Sequence, residues 1–241
     1  MAASRAPLTR DGLRVRIVVQ KVRVAGTEYR VIRPAGALKN GALYKTHSHY
    51  EMYVDRTYGR RIGTLWLLAA RSPRSLVYLP MRTTRVVPGI GEDGERPLDL
   101  VLVPRTAQLR PSRWKRIRAQ LRTGRAAREL HTAGVPARDL PDLDADYGIP
   151  DDPKAAGTFL LRKEIHAETL LLTGGAAAFR EGAKEIFAVT KYGPPAAATG
   201  LYISGACNYH VCRPVYDWGL DPQNMRQWEQ LHVEFCPQWA R

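Results

Sequence analysis

The pattern of hydrophobic and polar positions changes along the chain. Over most of the first hundred residues the two kinds alternate, as in Leu13 to Val24, and a period of two predicts half-buried strands. Further strands are predicted at 28–32, 50–54, 61–69, 75–79 and 98–103. The break at Ala25-Gly26 predicts a hairpin between the first two strands. We therefore expect a mainly antiparallel β domain in residues 1–133.

The period becomes helical in residues 111–130, where Trp114, Ile117 and Leu121 recur at spacings of three and four. Most other positions of this segment are cationic. The predicted nucleic-acid-binding residues of this helix are Arg113, Lys115, Arg116, Arg118, Arg122 and Arg125. An amphipathic surface helix with a solvated basic face explains the same pattern equally well.

Residues 134–157 are rich in proline and aspartate and show no sustained period, so they are predicted to be a linker. Beyond them, strands are predicted at 158–165, 185–191, 200–204 and 231–235, with helices from His166 to Phe179 and from Asn208 onward. This order predicts an α+β or α/β protein whose second domain, residues 158–241, alternates strands and helices.

Charge separates the same two regions. Residues 1–130 hold 27 of the 37 lysines and arginines and only 9 of the 23 acidic residues, whereas the rest of the chain is slightly acidic. A surface this basic attracts polyanions, so nucleic acid, either DNA or RNA, is the expected partner. Arginines scattered over a solvated sheet would give a similar composition.

Candidate chemistry is concentrated in the second region. His166-Ala167-Glu168 is followed by Cys207 and Cys212, with 38 residues between Glu168 and Cys207. An imidazole and two thiolates are a zinc-ligand set, and three protein ligands leave a fourth position for water, as in catalytic sites. Glu168 would transfer protons without binding the metal. His210 is an alternative to Cys212 as the third ligand.

These residues resemble the motif of the cytidine deaminase superfamily, H-x-E followed by a cysteine pair, with the wider spacing of APOBEC-type and bacterial toxin-type members. The resemblance covers about 158–239 and implies a three-layer α/β/α domain with zinc between two motif helices. It further implies a zinc-dependent hydrolytic deaminase that acts on cytosine, or less readily adenine, in nucleic acid.

The sequence departs from that pattern at several points. Ala206 stands where the family usually has proline, four residues rather than the usual two separate the cysteines, and only 29 residues follow Cys212. Two alternatives therefore stay open. One is a deaminase of a free nucleoside or nucleotide. The other is a nucleic-acid-binding protein with a structural zinc site, which Cys236 would complete.

A few further residues are candidates for function. Tyr209 and Trp218 lie near the motif and would stack on a base. His47 and His49 form an H-x-H pattern on a predicted strand, with Glu51 and Asp55 nearby, and would fit a metal site or a nuclease. The favoured interpretation is that they are polar residues on the exposed side of a sheet.

The sequence has no signal-peptide pattern and no apolar run long enough to span a membrane, so a cytoplasmic protein, or one exported without a classical signal, is expected. Three cysteines, an odd number, suit a metal site in a reducing compartment better than a disulfide framework.

Overall fold

The computed structural model describes residues 13–91, 94–124, 126–143, 157–200, 209–217 and 229–240. In this part of the chain the fold is mixed α/β, with one large sheet and three α-helices. The sheet has twelve strands in the order β6-β3-β4-β12-β11-β9-β10-β7-β5-β2-β1-β8. Seven of the strand pairings are antiparallel and four are parallel.

The strands, in chain order from β1 to β12, are Arg14–Val24, Thr27–Pro34, Gly41–Lys45, Tyr50–Val54, Ser75–Leu79, Arg96–Pro97, Asp99–Pro104, Arg128–Gly134, Leu161–Ile165, Thr169–Gly174, His210–Tyr216 and Glu229–Phe235. The helices α1, α2 and α3 are Arg56–Arg71, Trp114–Thr123 and Ala176–Ala197.

The first hairpin is confirmed. Strands β1 and β2 pair antiparallel from Ile17 with Pro34 to Val24 with Thr27. Ala25 and Gly26 form the two-residue connection, and both have positive φ values, 50° and 76°. Two positive φ values match the backbone twist of the paired strands, which is why this short connection specifies a hairpin.

Two segments predicted as strands are helical, and both predictions are wrong. Residues 61–69 belong to α1, which begins after Asp55, whose side chain accepts a hydrogen bond from the Tyr58 amide at 2.6 Å. Residues 185–191 belong to α3. In both segments the buried residues recur at helical spacing, as in Ile62, Leu65, Trp66 and Ala69. Tertiary packing of this face overrides the local β-propensity that favoured strands.

Helices α1 and α3 lie against each other and cover one face of the sheet with the largest apolar cluster. Glycines allow their close approach. A Cβ atom at Gly63 would lie 2.8 Å from the Phe187 ring, and one at Gly182 would lie 2.3 Å from the Trp66 ring. Larger side chains at these glycines would force the two helices apart.

The predicted basic helix is confirmed in its first part only. It begins with a short 3-10 turn at Pro111–Arg113, continues as α2, and ends at Gly124, which has a left-handed φ of 69°. Residues 128–134, which begin inside the predicted helix, form β8. Trp114, Ile117 and Leu121 pack on the sheet face opposite α1 and α3, so α2 covers part of that face.

Strands from both sides of the predicted linker pair with each other. Strand β12 pairs with β4, and β10 pairs with β7, both in parallel. The sheet therefore does not divide at residues 134–157, and the helices that cover it come from both halves of the chain. Residues 144–156 of the predicted linker lie outside the described residues.

The prediction that two helices carry the zinc motif is also wrong. His166-Ala167-Glu168 lies between β9 and β10, and the helix that was expected to begin at His166 begins instead at Ala176. Cys212 lies on β11 rather than on a helix. The expected strand at 231–235 is confirmed as part of β12.

None of the helices in the described residues is long and apolar enough to cross a membrane.

Candidate metal centre on the sheet

The H-x-E triplet forms a tight turn. Ala167 and Glu168 have φ values of 50° and 58°, and the His166 amide donates to the Thr169 carbonyl at 3.0 Å, which closes the β9-β10 hairpin. The Glu168 carbonyl accepts a hydrogen bond from the Asp99 amide at 3.0 Å and so joins the turn to β7. These are features of a type I′ connection between strands, not of a helix start.

The Glu168 side chain is engaged in ion pairs. Its carboxylate contacts the guanidinium of Arg82, and Arg118 Nη2 lies 3.5 Å from Glu168 Oε2. Arg118 also lies 3.5 Å from the buried Asp99 carboxylate and donates to Thr169 Oγ1 at 3.3 Å. Glu168 therefore belongs to a charged group that fastens α2 and the loop after β5 to the hairpin.

The structure does not bring His166 close to Cys212. Strands β9 and β11 are parallel, with Tyr216 paired to Arg162. His166 lies four residues beyond Arg162, and Cys212 lies four residues before Tyr216. At about 3.3 Å per residue the two positions are about 26 Å apart along the strands, so they cannot bind one ion. The structure therefore does not bring together His166 and Cys212 of the predicted zinc set.

The other predicted site residues differ in their location and burial. Cys207, Trp218 and Arg125 lie outside the described residues. Tyr209 is half-buried, packs against the main core, and has its ring 6.2 Å from that of Tyr192. On the basic helix, Arg118 is buried and paired, so it is not available to a polyanion.

The remaining cations of that helix differ in exposure. Arg113 donates to the hydroxyls of Thr27 and Tyr29 at 3.0 and 2.7 Å, which ties the helix to the first hairpin. The exposed cations of α2 are Lys115, Arg116 and Arg122.

A different set of ligating side chains meets on three neighbouring strands, β4, β12 and β11. His232 on β12 is paired with Glu51 on β4 and with Cys212 on β11, so the three residues form one row across the sheet. His49 and His210 lie two residues before Glu51 and Cys212, and an alternation of two places their side chains on the same face. The opposite face of these strands carries Leu231 and Val233 into the core under α1 and α3.

The three imidazoles stack in sequence. The ring centroids of His49 and His232 are 4.5 Å apart, those of His210 and His232 are 5.4 Å apart, and the planes differ by 23° and 14°. The histidines and Glu51 are half-buried, and Cys212 is exposed. The group is thus partly shielded by the sheet yet reachable from solvent at Cys212.

Two overlapping triads in this group have the spacing of metal ligands. In the first, His210, Cys212 and His232, the ligand atoms all lie within 4.8 Å of one another. The second, His49, Glu51 and His232, meets the same limit. We call the five residues the sheet-face cluster. His232 belongs to both triads, so it is the central residue of the cluster.

Hydrogen bonds distinguish the two triads. His49 Nε2 lies 2.8 Å from Glu51 Oε1, and the Tyr53 hydroxyl donates to the other Glu51 oxygen, so an ion bound by the second triad would have to break the His49-Glu51 bond. His232 Nε2 bonds to Gln230 Oε1 at 2.7 Å. A ligating histidine commonly makes such a bond through the ring nitrogen that does not bind the metal.

The donor atoms of the first triad suit zinc. Two imidazoles and one thiolate are typical zinc ligands, and three protein ligands match the number in catalytic rather than structural sites. Burial, followed by the neighbouring His49 and His210 rings, lowers the pKa of His232, while Glu51 acts in the opposite direction. A lowered pKa favours the neutral imidazole, which is the form that binds a metal.

Sequence reasoning found part of this cluster. The H-x-H pattern led to His49 and Glu51, and His210 and Cys212 were candidates as ligands of another site. It missed His232, and it did not predict that the segments around His49, His210 and His232 would be neighbours in the sheet. A usable signal was present, because each segment has a histidine followed two residues later by a possible ligand, in His49-x-Glu51, His210-x-Cys212 and His232-x-Glu234.

Comparison of the chain with known protein families, with curated proteins and with solved structures finds no match. The residues of the cluster and their surroundings are therefore the basis for any functional assignment.

Proposed function

We propose that this protein is a zinc-dependent hydrolase whose metal is held by His210, Cys212 and His232. The observation that carries the proposal is the approach of these three ligand atoms to within 4.8 Å of one another. Glu51 supports a catalytic rather than a structural role, because a structural site has no use for an additional carboxylate at its edge.

Each residue has a separate task in this proposal. His210, Cys212 and His232 hold the ion, and Gln230 orients the His232 ring through the 2.7 Å hydrogen bond. When bound, zinc supplies the Lewis acidity that makes water a nucleophile near neutral pH. Glu51 would be the general base beside the site, and its bonds to His49 and Tyr53 would fix its orientation.

Glu168 has no part in this proposal. Its carboxylate pairs with Arg82 and Arg118 at a turn about 26 Å along the strands from Cys212. Deamination of a nucleobase, which the sequence predicted, is one hydrolytic reaction that such a zinc site is able to perform. It is retained as one arm of the activity test.

Metal binding is tested first, with cobalt as a spectroscopic substitute for zinc. Titration of the metal-free protein with Co²⁺ should produce a thiolate-to-metal charge-transfer band with a stoichiometry of one ion per chain. Cys212→Ala should remove this band. Cys236→Ala is the matched control, because Cys236 is buried in the core next to β12 and should leave the band intact. If only Cys207→Ala removes the band, the metal is elsewhere and the proposal fails.

Activity is tested with the zinc-loaded protein on three substrates. The first is bis(p-nitrophenyl) phosphate, a phosphodiester, and the second is p-nitrophenyl acetate, an ester. The third is a single-stranded oligonucleotide, in which loss of the cytosine amino group is measured. We expect turnover of one of them to require zinc, Glu51 and Cys212 together. Turnover that survives Glu51→Gln but not Glu168→Gln would restore the chemistry predicted from the sequence.

A further inference from the structure

A cavity of about 570 Å³ lies at the opposite end of the sheet, near edge strand β8. Its lining comes from the beginning of β1, the segment that follows β2, helix α1 and Leu130 of β8. Among the described lining residues three are arginines, Arg14, Arg16 and Arg61, and none is acidic. A concave surface rich in positive charge favours an anionic ligand.

Local structure positions these arginines. Arg14 and Arg16 lie two residues apart on β1, so their side chains extend from the same face. The guanidinium of Arg61 lies over the Tyr58 ring, 4.8 Å from its centroid, which restricts its orientation. All three side chains are exposed, so a ligand is able to reach them.

Small residues keep the cavity open on its other side. The segment Ala35-Gly36-Ala37 lines it, and a Cβ atom at Gly36 would meet nothing within 4 Å. The Ala35 amide donates to the Arg16 carbonyl at 2.9 Å and holds this segment next to β1. This segment therefore leaves open space beside the arginines.

The positive charge continues beyond the cavity on the same face of the sheet. Arg33 on β2 lies opposite Val18 of β1, and Arg128 on β8 lies opposite Gln20. The alternation of the strands places both side chains on the face that carries Arg14 and Arg16. In the described residues of β1, β2 and β8, this face carries arginines and no carboxylate.

The length of this surface indicates a polymer. From Arg14 to the level of Arg128 it covers six residues of β1, or about 20 Å. One strand of a duplex advances about 3.4 Å per phosphate, so about six phosphates would lie along it. A mononucleotide would occupy only one end of such a surface.

We propose that the cavity and this face bind the phosphate backbone of a nucleic-acid strand, with Arg14, Arg16 and Arg61 as its principal contacts. The basic helix α2 is secondary in this proposal, because two of its described cations, Arg113 and Arg118, are engaged within the protein. The proposed site does not include the metal ligands. The metal-free protein and the zinc-loaded protein should therefore bind nucleic acid equally well.

The test is fluorescence anisotropy with a labelled single-stranded oligonucleotide of mixed sequence, at several salt concentrations. The triple variant Arg14→Gln, Arg16→Gln and Arg61→Gln should bind about 10- to 100-fold more weakly, and the slope of log affinity against log salt should fall by about 2. The matched control has the same change of charge at exposed arginines outside the cavity, Arg74→Gln, Arg110→Gln and Arg180→Gln, and should lose much less affinity.

Three results would overturn the proposal. The first is an equal loss in the control triple, which would indicate diffuse attraction. The second is a larger loss when Lys115, Arg116 and Arg122 are replaced by glutamine. The third is inorganic pyrophosphate displacing the oligonucleotide stoichiometrically at micromolar concentration, which would indicate a site for a small phosphorylated ligand. Thermal melts followed by circular dichroism should show that every variant is folded. If the triple variant is unfolded, the affinities of the three single variants are measured instead.

Discussion

Two of the regions that carry a histidine and a glutamate two residues apart differ in what these residues do. In His166-Ala167-Glu168 the backbone turns through two positive φ values, and Glu168 pairs with arginines from other elements. In His49-Tyr50-Glu51 the backbone enters β4, and both polar side chains extend to one face beside His232. The same local pattern is structural in the turn, whereas on the strand it lies beside possible metal ligands.

The difference teaches that a short motif gains its chemical meaning from the element that carries it. A strand aligns residues i and i+2 and presents them to neighbouring strands about 5 Å away, so ligands accumulate across the sheet. A two-residue turn has no such neighbours on both sides.

The largest effect is expected on removal of the residue that both triads share. His232→Ala should abolish metal binding, because either triad would retain only two ligands. His166→Ala, the corresponding change in the turn, should leave the metal content at wild-type level. Metal analysis of both proteins after dialysis is the measurement. Loss of metal in His166→Ala and retention in His232→Ala would reverse the roles assigned to the two regions.

The two glutamates should differ next in turnover. Glu51→Gln keeps the shape of the side chain and removes its ability to accept a proton, so the rate should fall by about 10²- to 10⁴-fold with zinc still bound. Glu168→Gln should leave turnover within a few-fold of the wild type. Steady-state rates on the substrate that the wild type hydrolyses provide the comparison, and cobalt spectra of both variants serve as the control for metal binding.

The contrast also explains which parts of the fold were predictable. The β1-β2 hairpin follows from local signals alone, because alternation and the Ala25-Gly26 break lie within one short segment. The sheet-face cluster depends instead on the register of β4, β12 and β11, which brings together residues 49–51, 210–212 and 232. No window of the sequence contains that register, since it is fixed by pairing between distant segments.

Strand β11 shows why Cys212 was assigned to a helix. Its core-facing residues include Arg213. The Arg213 guanidinium pairs with the Glu185 carboxylate at 3.0 Å and donates a hydrogen bond to the Phe159 carbonyl at 2.7 Å. Pro214 follows it within the strand. A buried arginine and a proline interrupt the apolar alternation that identifies a strand, and only the tertiary partner on α3 accounts for the arginine.

The third prediction concerns stability at the turn. Glu168→Gln should lower the free energy of unfolding by about 1 kcal/mol, because it weakens the ion pairs to Arg82 and Arg118. Arg118 keeps its ion pair with Asp99 in this variant. The effect is small since almost half of the Glu168 side chain, 46%, is exposed. Urea unfolding followed by tryptophan fluorescence should show it. Glu28→Gln, at an exposed position of the first hairpin, is a control for loss of a charge.

The smallest effect is expected at Ala167, where an alanine has the left-handed φ of 50° that glycine adopts without strain. Ala167→Gly should raise the free energy of unfolding by about 0.5–1 kcal/mol, because the relief of strain exceeds the added freedom of the unfolded chain. Ala25→Gly, at the same φ in the first hairpin, should give a gain of similar size. Neither change should alter metal content. If Ala167→Gly instead releases the metal while Ala25→Gly does not, the turn is part of the metal centre, and its resemblance to a deaminase motif reflects function rather than the geometry of a hairpin.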